Sequence, residues 1–214
     1  MSAADGLPAL ISINSTIEEA NRISAREGRR LYLYGQITSV DEQEIGFFNS
    51  SIITNAIEDI FYFNRIDMEL DPEDREPIII YINSPGGDLV EGFALISAME
   101  ISKTPIYTVN VGAWSSMSFL IGITGTKRYS LPYMTFLMHD GFGIAGGSLN
   151  KMQDKMEFDR RFEEEVVKKH VLRHSKMNSD DYDMLRRVEL YMLPEDALRR
   201  GFIDEIVTDI DTIL

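Results

Sequence analysis

No cysteine occurs among the 214 residues. Disulfides, thiolate nucleophiles and cysteine-ligated metal sites are therefore excluded, and the redox compartment stays open. No stretch approaches the roughly 18 consecutive apolar residues of a membrane span, and residues 1–8 lack the basic segment and apolar run of a secretory signal. The default expectation is a cytoplasmic protein with no membrane partner. Positive charge is scarce: 21 Lys and Arg against 35 Asp and Glu give a formal net charge of −14, which argues against nucleic acid as a general partner. No G-x-x-x-x-G-K-[ST] run is present, so the sequence shows no P-loop nucleotide site. Internal repeats and low-complexity segments are also missing. What is present is 44% hydrophobic residues over a length that suits one well-buried domain, at about 100–200 residues per domain.

Residues 1–14 read as an arm, and Ser15-Thr16-Ile17-Glu18 has the form of a capping box opening a short helix that ends at Gly28. The rest, 29–214, reads as a single domain. Residues 31–37 suit a strand. Ile45, Phe48, Ile52, Ala56, Ile60 and Phe63 recur every three or four positions, which predicts an amphipathic helix over 42–64. A charged loop follows over 68–77. Ile78-Ile79-Ile80-Tyr81-Ile82 is a continuous, largely β-branched run, the pattern of a central strand covered on both faces. After it come a helix over 88–102, a buried strand over 106–111, an elbow at Gly112 and Ala113, and a short helix through 121. This alternation implies right-handed crossovers and an α/β layered fold. Further on, the pattern predicts a strand over 135–139 and a helix over 148–174 with a charged outer face. A helix over 178–187, an extended piece at 190–193 and a helix over 194–200 close the chain.

Three stretches carry chemistry-bearing residue types. Ser116 falls within the first helical turn after the elbow, where N–H groups without intrahelical partners and the helix dipole would meet an oxyanion. Helix capping is the competing account, since serine is a favoured N-cap. Ser84-Pro85-Gly86-Gly87 follows the central strand, and paired glycines let backbone N–H groups turn towards a bound atom; a plain βα turn would look the same. His139 closes an apolar strand and is either a structural histidine or a general base.

Taken in order, these stretches resemble the ClpP family, the proteolytic subunit of the ATP-dependent Clp protease, with its crotonase-like fold. The resemblance runs from about Arg29 to the C-terminus. Tyr81 to Gly87 stand at the family's oxyanion strand, Gly112 to Met117 at its nucleophile motif, Leu131-Pro132 and Met138-His139 at its histidine strand, and Tyr191-Met192, Glu195 and Gly201-Phe202-Ile203-Asp204 at its C-terminal signature. The resemblance implies a layered spiral of strand-strand-helix units with a protruding handle helix. It also implies a serine endopeptidase with Ser116 as nucleophile, His139 as general base, and an oxyanion hole from the N–H groups of Gly87 and Met117. Counting back from Gly201, the family's aspartate falls on Glu189, a departure whose extra methylene moves the carboxylate by about 1.5 Å. Asp140 would point to the opposite face from His139, and Asp180 and Asp181 are better substitutes, although helix capping accounts for both. Trp114 and Ser118 replace smaller residues and would narrow the pocket.

The resemblance further implies heptameric rings stacked into a tetradecamer that encloses a chamber, fed with unfolded polypeptides by an AAA+ unfoldase. Gly143, Ile144, Ala145 and Gly146 match the extended edge to which substrate adds as a strand. Tyr81, Val109, Val111 and Leu131 match an apolar partner-docking pocket, with Ile79 and Ile101 where aromatic residues are usual. No cofactor is implied. His170 and His174 stand four apart on the long helix, but no third ligand is evident, so solvent exposure rather than a metal site is expected. The alternative at the level of function is a catalytically silent subunit of a mixed ring, suggested by Glu189. A crotonase-type acyl-CoA enzyme needs no Ser/His pair, and a Ser/Lys signal-peptide peptidase would want a lysine base.

Overall fold

Ile78, Ile80 and Ile82 point into one apolar cluster of the protein and Ile79 and Tyr81 into a second on the opposite face, as the two-residue period of a strand requires. In the computed structural model, which describes residues 26–38, 52–141 and 146–213, this strand is β2 (Ile78–Ser84), an interior strand of the sheet. Parallel β1 (Arg30–Tyr34) and β3 (Ile106–Ser115) flank it, with Ile80 opposite Leu31 and Thr108. Up to residue 25, the helix expected from Ser15 lies outside the described residues, as do the first part of the 42–64 helix and Gly143, Ile144 and Ala145; Arg26 and Glu27 are helical and a turn follows at Gly28.

The helices follow from local pattern. α1 (Ile52–Ile66) buries Ile53, Ala56, Ile60 and Phe63, the apolar face expected from the spacing. α2 (Leu89–Ile101) is capped by Asp88, whose carboxylate accepts from the N–H groups of Val90 at 2.7 Å and Glu91 at 2.9 Å. Beneath them, Arg29 grips Asp67 with two bonds of 2.6 and 2.8 Å and Thr104 donates to the same carboxylate at 3.0 Å, tying the charged loop to the sheet.

β3 changes partner along its length. Its first half pairs with β4 (Lys127–Ser130), which in turn pairs with β7 (Glu205–Ile206); its second half pairs with β5 (Thr135–Met138). β4 and β7 carry no pattern of their own in the sequence. Antiparallel to β5 runs β6 (Leu190–Met192). The mixed α/β expectation is met, with strands, helices and a layered sheet in the anticipated order.

The long helix differs from expectation in one respect. It is α4 (Leu149–Phe162), a π-helical segment (Glu163–Val167) and α5 (Lys168–Arg173). No residue of α4 is buried, whereas Val167, His170 and Val171 are. The π segment thus stands where an exposed rod becomes a docked helix. No helix among the described residues is long and apolar enough to cross a membrane.

Candidate active site

β3 does not turn at Gly112 and Ala113. It bends there and continues to Ser115, because two asparagine side chains replace ladder bonds lost at a register shift between Ile82 and Ser84. Asn83 Oδ1 accepts from Ala113 N–H at 3.1 Å, and Asn110 Oδ1 accepts from Gly112 N–H at 3.0 Å. A Cβ on Gly112 would lie 2.1 Å from Asn83 Oδ1, so this glycine makes room for a side chain rather than for a turn.

The elbow is Ser116 itself, with φ 54° and ψ −124°. α3 (Met117–Ile123) begins at the next residue and buries all seven of its side chains. Ser116 N–H donates to Leu137 O at 2.9 Å, pinning the elbow to β5. Its side chain makes no capping hydrogen bond, so the capping account of this serine loses its support. Ser118 does the stapling: its buried hydroxyl accepts from Ser115 N–H at 2.8 Å and lies 2.7 Å from Ser84 O and 2.9 Å from Ser115 O, to one of which it donates. Trp114 is also fully buried, edge-on to Phe136. Both point into the core, so neither narrows a pocket at Ser116, contrary to the sequence expectation.

The glycine pair lies against this elbow. Gly86 has φ +95°, and a Cβ there would meet Ser115 O at 2.5 Å, Ser116 Cβ at 2.7 Å and Met117 N at 2.8 Å. Ile37 clamps the next residue: its N–H donates to Gly86 O and its carbonyl accepts from Asp88 N–H, both at 2.8 Å. Successive peptide groups along extended backbone face opposite edges. Gly87 N–H therefore faces away from Ile37, towards the side on which β3 ends at the elbow. It has no hydrogen-bond partner among the described residues, and Met117 N–H, first in its helix, has no intrahelical acceptor.

Register brings in the other two groups. Ser115 pairs with Leu137, so Ser116 and His139 leave neighbouring parallel strands at the same end. Along β5 and β6 the partners are Phe136 with Met192, Leu137 with Tyr191 and Met138 with Leu190, where the ladder ends; the same register carried one step further would set His139 opposite Glu189. Residues so opposed have Cα atoms about 4.5–5.5 Å apart. His139 is half-buried and Glu189 exposed. Among the described residues, no hydrogen bond joins Ser116 to His139 or His139 to Glu189. The Glu189 carboxylate instead accepts from the Tyr191 hydroxyl at 2.7 Å, and this bond raises the Tyr191 pKa.

Other candidates lie elsewhere. Asp181 is engaged in the cap of α6 (Ser179–Leu185), where its N–H donates to Asn178 Oδ1 and its carboxylate accepts from Asn178 Nδ2, each at 2.9 Å. Asp180, beside it in the first turn, is exposed. Asp140 is exposed, and its N–H donates to Arg186 O at 2.9 Å. Arg186 belongs to no motif of the sequence. Its guanidinium pairs with Glu164 at 2.9 Å, so one residue links the π segment to the backbone next to His139. Nothing local marks it, since both of these partners lie more than twenty positions earlier in the chain.

Gly146 is exposed, and a Cβ added there would meet nothing within 4 Å. Tyr81, Val109, Val111 and Leu131 do come together, in the second apolar cluster with Ile79 and Tyr129. The C-terminal turn Ile210–Ile213 covers them: Ile213 packs into the cluster and its carbonyl accepts from the Tyr81 hydroxyl at 2.6 Å. The histidine pair departs from expectation. His170 is only 4% exposed, not solvated, and burial followed by the neighbouring His174 pushes its pKa down to about 4.

A family model described as Clp protease matches residues 36–209. Among curated relatives, the ATP-dependent Clp protease proteolytic subunit 2 of Thermobifida fusca is 33% identical over 155 residues, covering 68% of this chain and 74% of that protein. Subunit 1 of Frankia casuarinae is 29% identical over 166 residues, 75% of each chain. The proteolytic subunit of Bdellovibrio bacteriovorus is 29% identical over 160 residues, 72% of this chain and 74% of its own.

Proposed function

The chain belongs to the Clp protease family, and from that premise we propose that it is a serine endopeptidase subunit in which Ser116 is the nucleophile. The observation that carries this is the elbow: a non-glycine residue held at φ 54° whose hydroxyl caps nothing. Strained backbone of this kind persists only where the surroundings enforce it, and it aims Oγ outward at the end of a sheet. His139 takes the Ser116 proton as Oγ attacks a peptide carbonyl, and returns it to the leaving amine. The N–H groups of Gly87 and Met117 receive the developing oxyanion. Water then hydrolyses the acyl-enzyme with His139 again as base. Glu189 orients the imidazole after releasing Tyr191.

The same reading extends to assembly. Stacked heptameric rings of this chain enclose the sites, and an AAA+ unfoldase, a separate chain, feeds in unfolded polypeptides; short peptides enter unaided in the cytoplasm. The relatives' names, proteolytic subunits of an ATP-dependent protease, support a nucleotide-driven partner. Val111 and Leu131, the half-buried members of the apolar cluster with Tyr81 and Val109, are the proposed docking surface, and Gly143 to Gly146 the proposed substrate-binding segment.

One observation favours a second reading, a catalytically silent subunit of a mixed ring: the Glu189 carboxylate is bonded to Tyr191 and not to His139. Fluorophosphonate labelling of the purified protein separates the two. Label on wild type and on Glu189→Ala, absent from Ser116→Ala, is expected for the peptidase. An unlabelled wild type would leave the silent subunit. Light scattering of the same samples reports ring assembly.

A further inference from the structure

α2 and α3 begin at the glycine loop and at Ser116, and their C-terminal ends converge on α5. There Glu100, from the last turn of α2, meets both histidines of the long helix. Glu100 Oε1 lies 3.5 Å from His170 Nδ1 and 3.5 Å from His174 Nε2. One ligand atom from each of the three residues lies within 4.8 Å of the other two. A tetrahedral ion bound at 2.0–2.1 Å holds its ligand atoms about 3.4 Å apart. The third ligand that the sequence did not reveal is thus supplied by a different helix.

The hydrogen bonds behind His170 decide its tautomer. Nε2 lies 3.1 Å from Leu120 O and 3.1 Å from Thr124 Oγ1. The Thr124 hydroxyl gives its own proton to Leu120 O at 2.8 Å, so both atoms facing Nε2 are acceptors and Nε2 carries the proton. Nδ1 then presents a lone pair to a carboxylate oxygen. Two facing lone pairs repel unless a cation stands between them. A backbone carbonyl fixing the rear nitrogen is also the usual support of a metal-bound imidazole.

We propose that Glu100, His170 and His174 form a binding site for a divalent transition metal of the zinc class, completed by water from the adjoining cavity. That cavity, of about 520 Å³, is lined by His174, Arg173 and Thr124 among others. The negative ends of α2 and α3 add to the attraction. Arg173 now supplies the positive charge, with Nη1 2.9 Å from Glu100 Oε1. Its side chain is 63% exposed and swings into solvent when the ion enters. The ion's role is to clamp the far ends of the two helices that start at the active site onto the base of the long helix; it takes no part in the chemistry at Ser116.

The test uses the full chain, stripped with a chelator and titrated with Zn²⁺ by calorimetry and with Co²⁺ by absorption. One Zn²⁺ per chain and the visible bands of tetrahedral Co²⁺ are expected. Glu100→Gln and His174→Ala should each weaken binding by at least about 100-fold, more than the 10–100-fold that loss of a supporting group behind a ligand costs. Arg173→Ala should tighten it. Circular dichroism checks that the variants fold, and Zn²⁺ should raise the melting temperature of wild type but not of Glu100→Gln. Substoichiometric binding, or one-site binding that both ligand substitutions leave unchanged, overturns the proposal.

Discussion

Replacing Ser116 by glycine should make the protein more stable while abolishing any chemistry of the hydroxyl. At φ 54° and ψ −124°, an L-residue sits in a region that costs about 1–3 kcal/mol. Glycine reaches the same angles freely, so this strain disappears. Against that stands the extra freedom of glycine in the unfolded chain, about 0.5–1 kcal/mol. The balance is a gain of roughly 0–2.5 kcal/mol. Ser116→Ala is the control, because alanine keeps the Cβ and therefore the strain. It removes only a hydroxyl that caps nothing, so its stability should stay within about 0.5 kcal/mol of wild type. Were the hydroxyl a working N-cap, alanine would cost about 0.5–2 kcal/mol. Urea unfolding with a common m-value ranks the three proteins, and the order expected is glycine above alanine, with alanine level with wild type. Glycine falling below wild type, or alanine losing a full kcal/mol, would refute the strained-elbow argument.

Gly86→Ala should lose both stability, by about 2 kcal/mol or more, and peptidase activity, since its methyl group would sit 2.5 Å from Ser115 O at a φ of +95°; denaturation and peptide hydrolysis read the two losses. Glu189→Gln should lower kcat by about 10²–10⁴-fold, the scale set by mispairing an imidazole tautomer, whereas Tyr191→Phe, which only frees the carboxylate, should not lower it. Equal losses in both would mean that Glu189 serves Tyr191 and not His139. Asp67 gives a pH dependence. The Arg29 hydrogen bonds hold its carboxyl below the ordinary value, so its contribution is present above the unfolded pKa of about 3.9 and lost as pH falls through the lower folded value. Asp67→Asn should cost about 1.5–3 kcal/mol at pH 7 by removing the charged hydrogen bonds of a half-buried Arg29 that keeps its weaker contacts to Glu76, and the gap to wild type should narrow below pH 4. A gap that stays constant down to pH 2 would count against the pairing.

Much of the frame is readable along the chain. The apolar face of α1, the isoleucine run of β2 and the helix over 88–102 each depend on residues a few positions apart, and they appear where the spacing set them. The motif order leads to Ser116, to the glycine pair and, by counting, to Glu189. Other features depend on partners distant in the chain. β3 outruns its apolar stretch because Asn83 and Asn110 hold it, while the four-residue β4 is a strand because β3 pairs with all of it, and the two-residue β7 because β4 is there to pair with.

Sequence by itself thus determined the elements whose stability is local, a helix face or a strand core, together with the residue types at the site. Tertiary structure alone decided where the elbow falls, that Glu189 lies one register step from pairing with His139, that the C-terminal turn covers Tyr81, and that Glu100 joins two histidines about seventy positions away. The physical reason is that hydrogen-bond register and burial are properties of pairs of segments, and neither member of a pair carries the other's address.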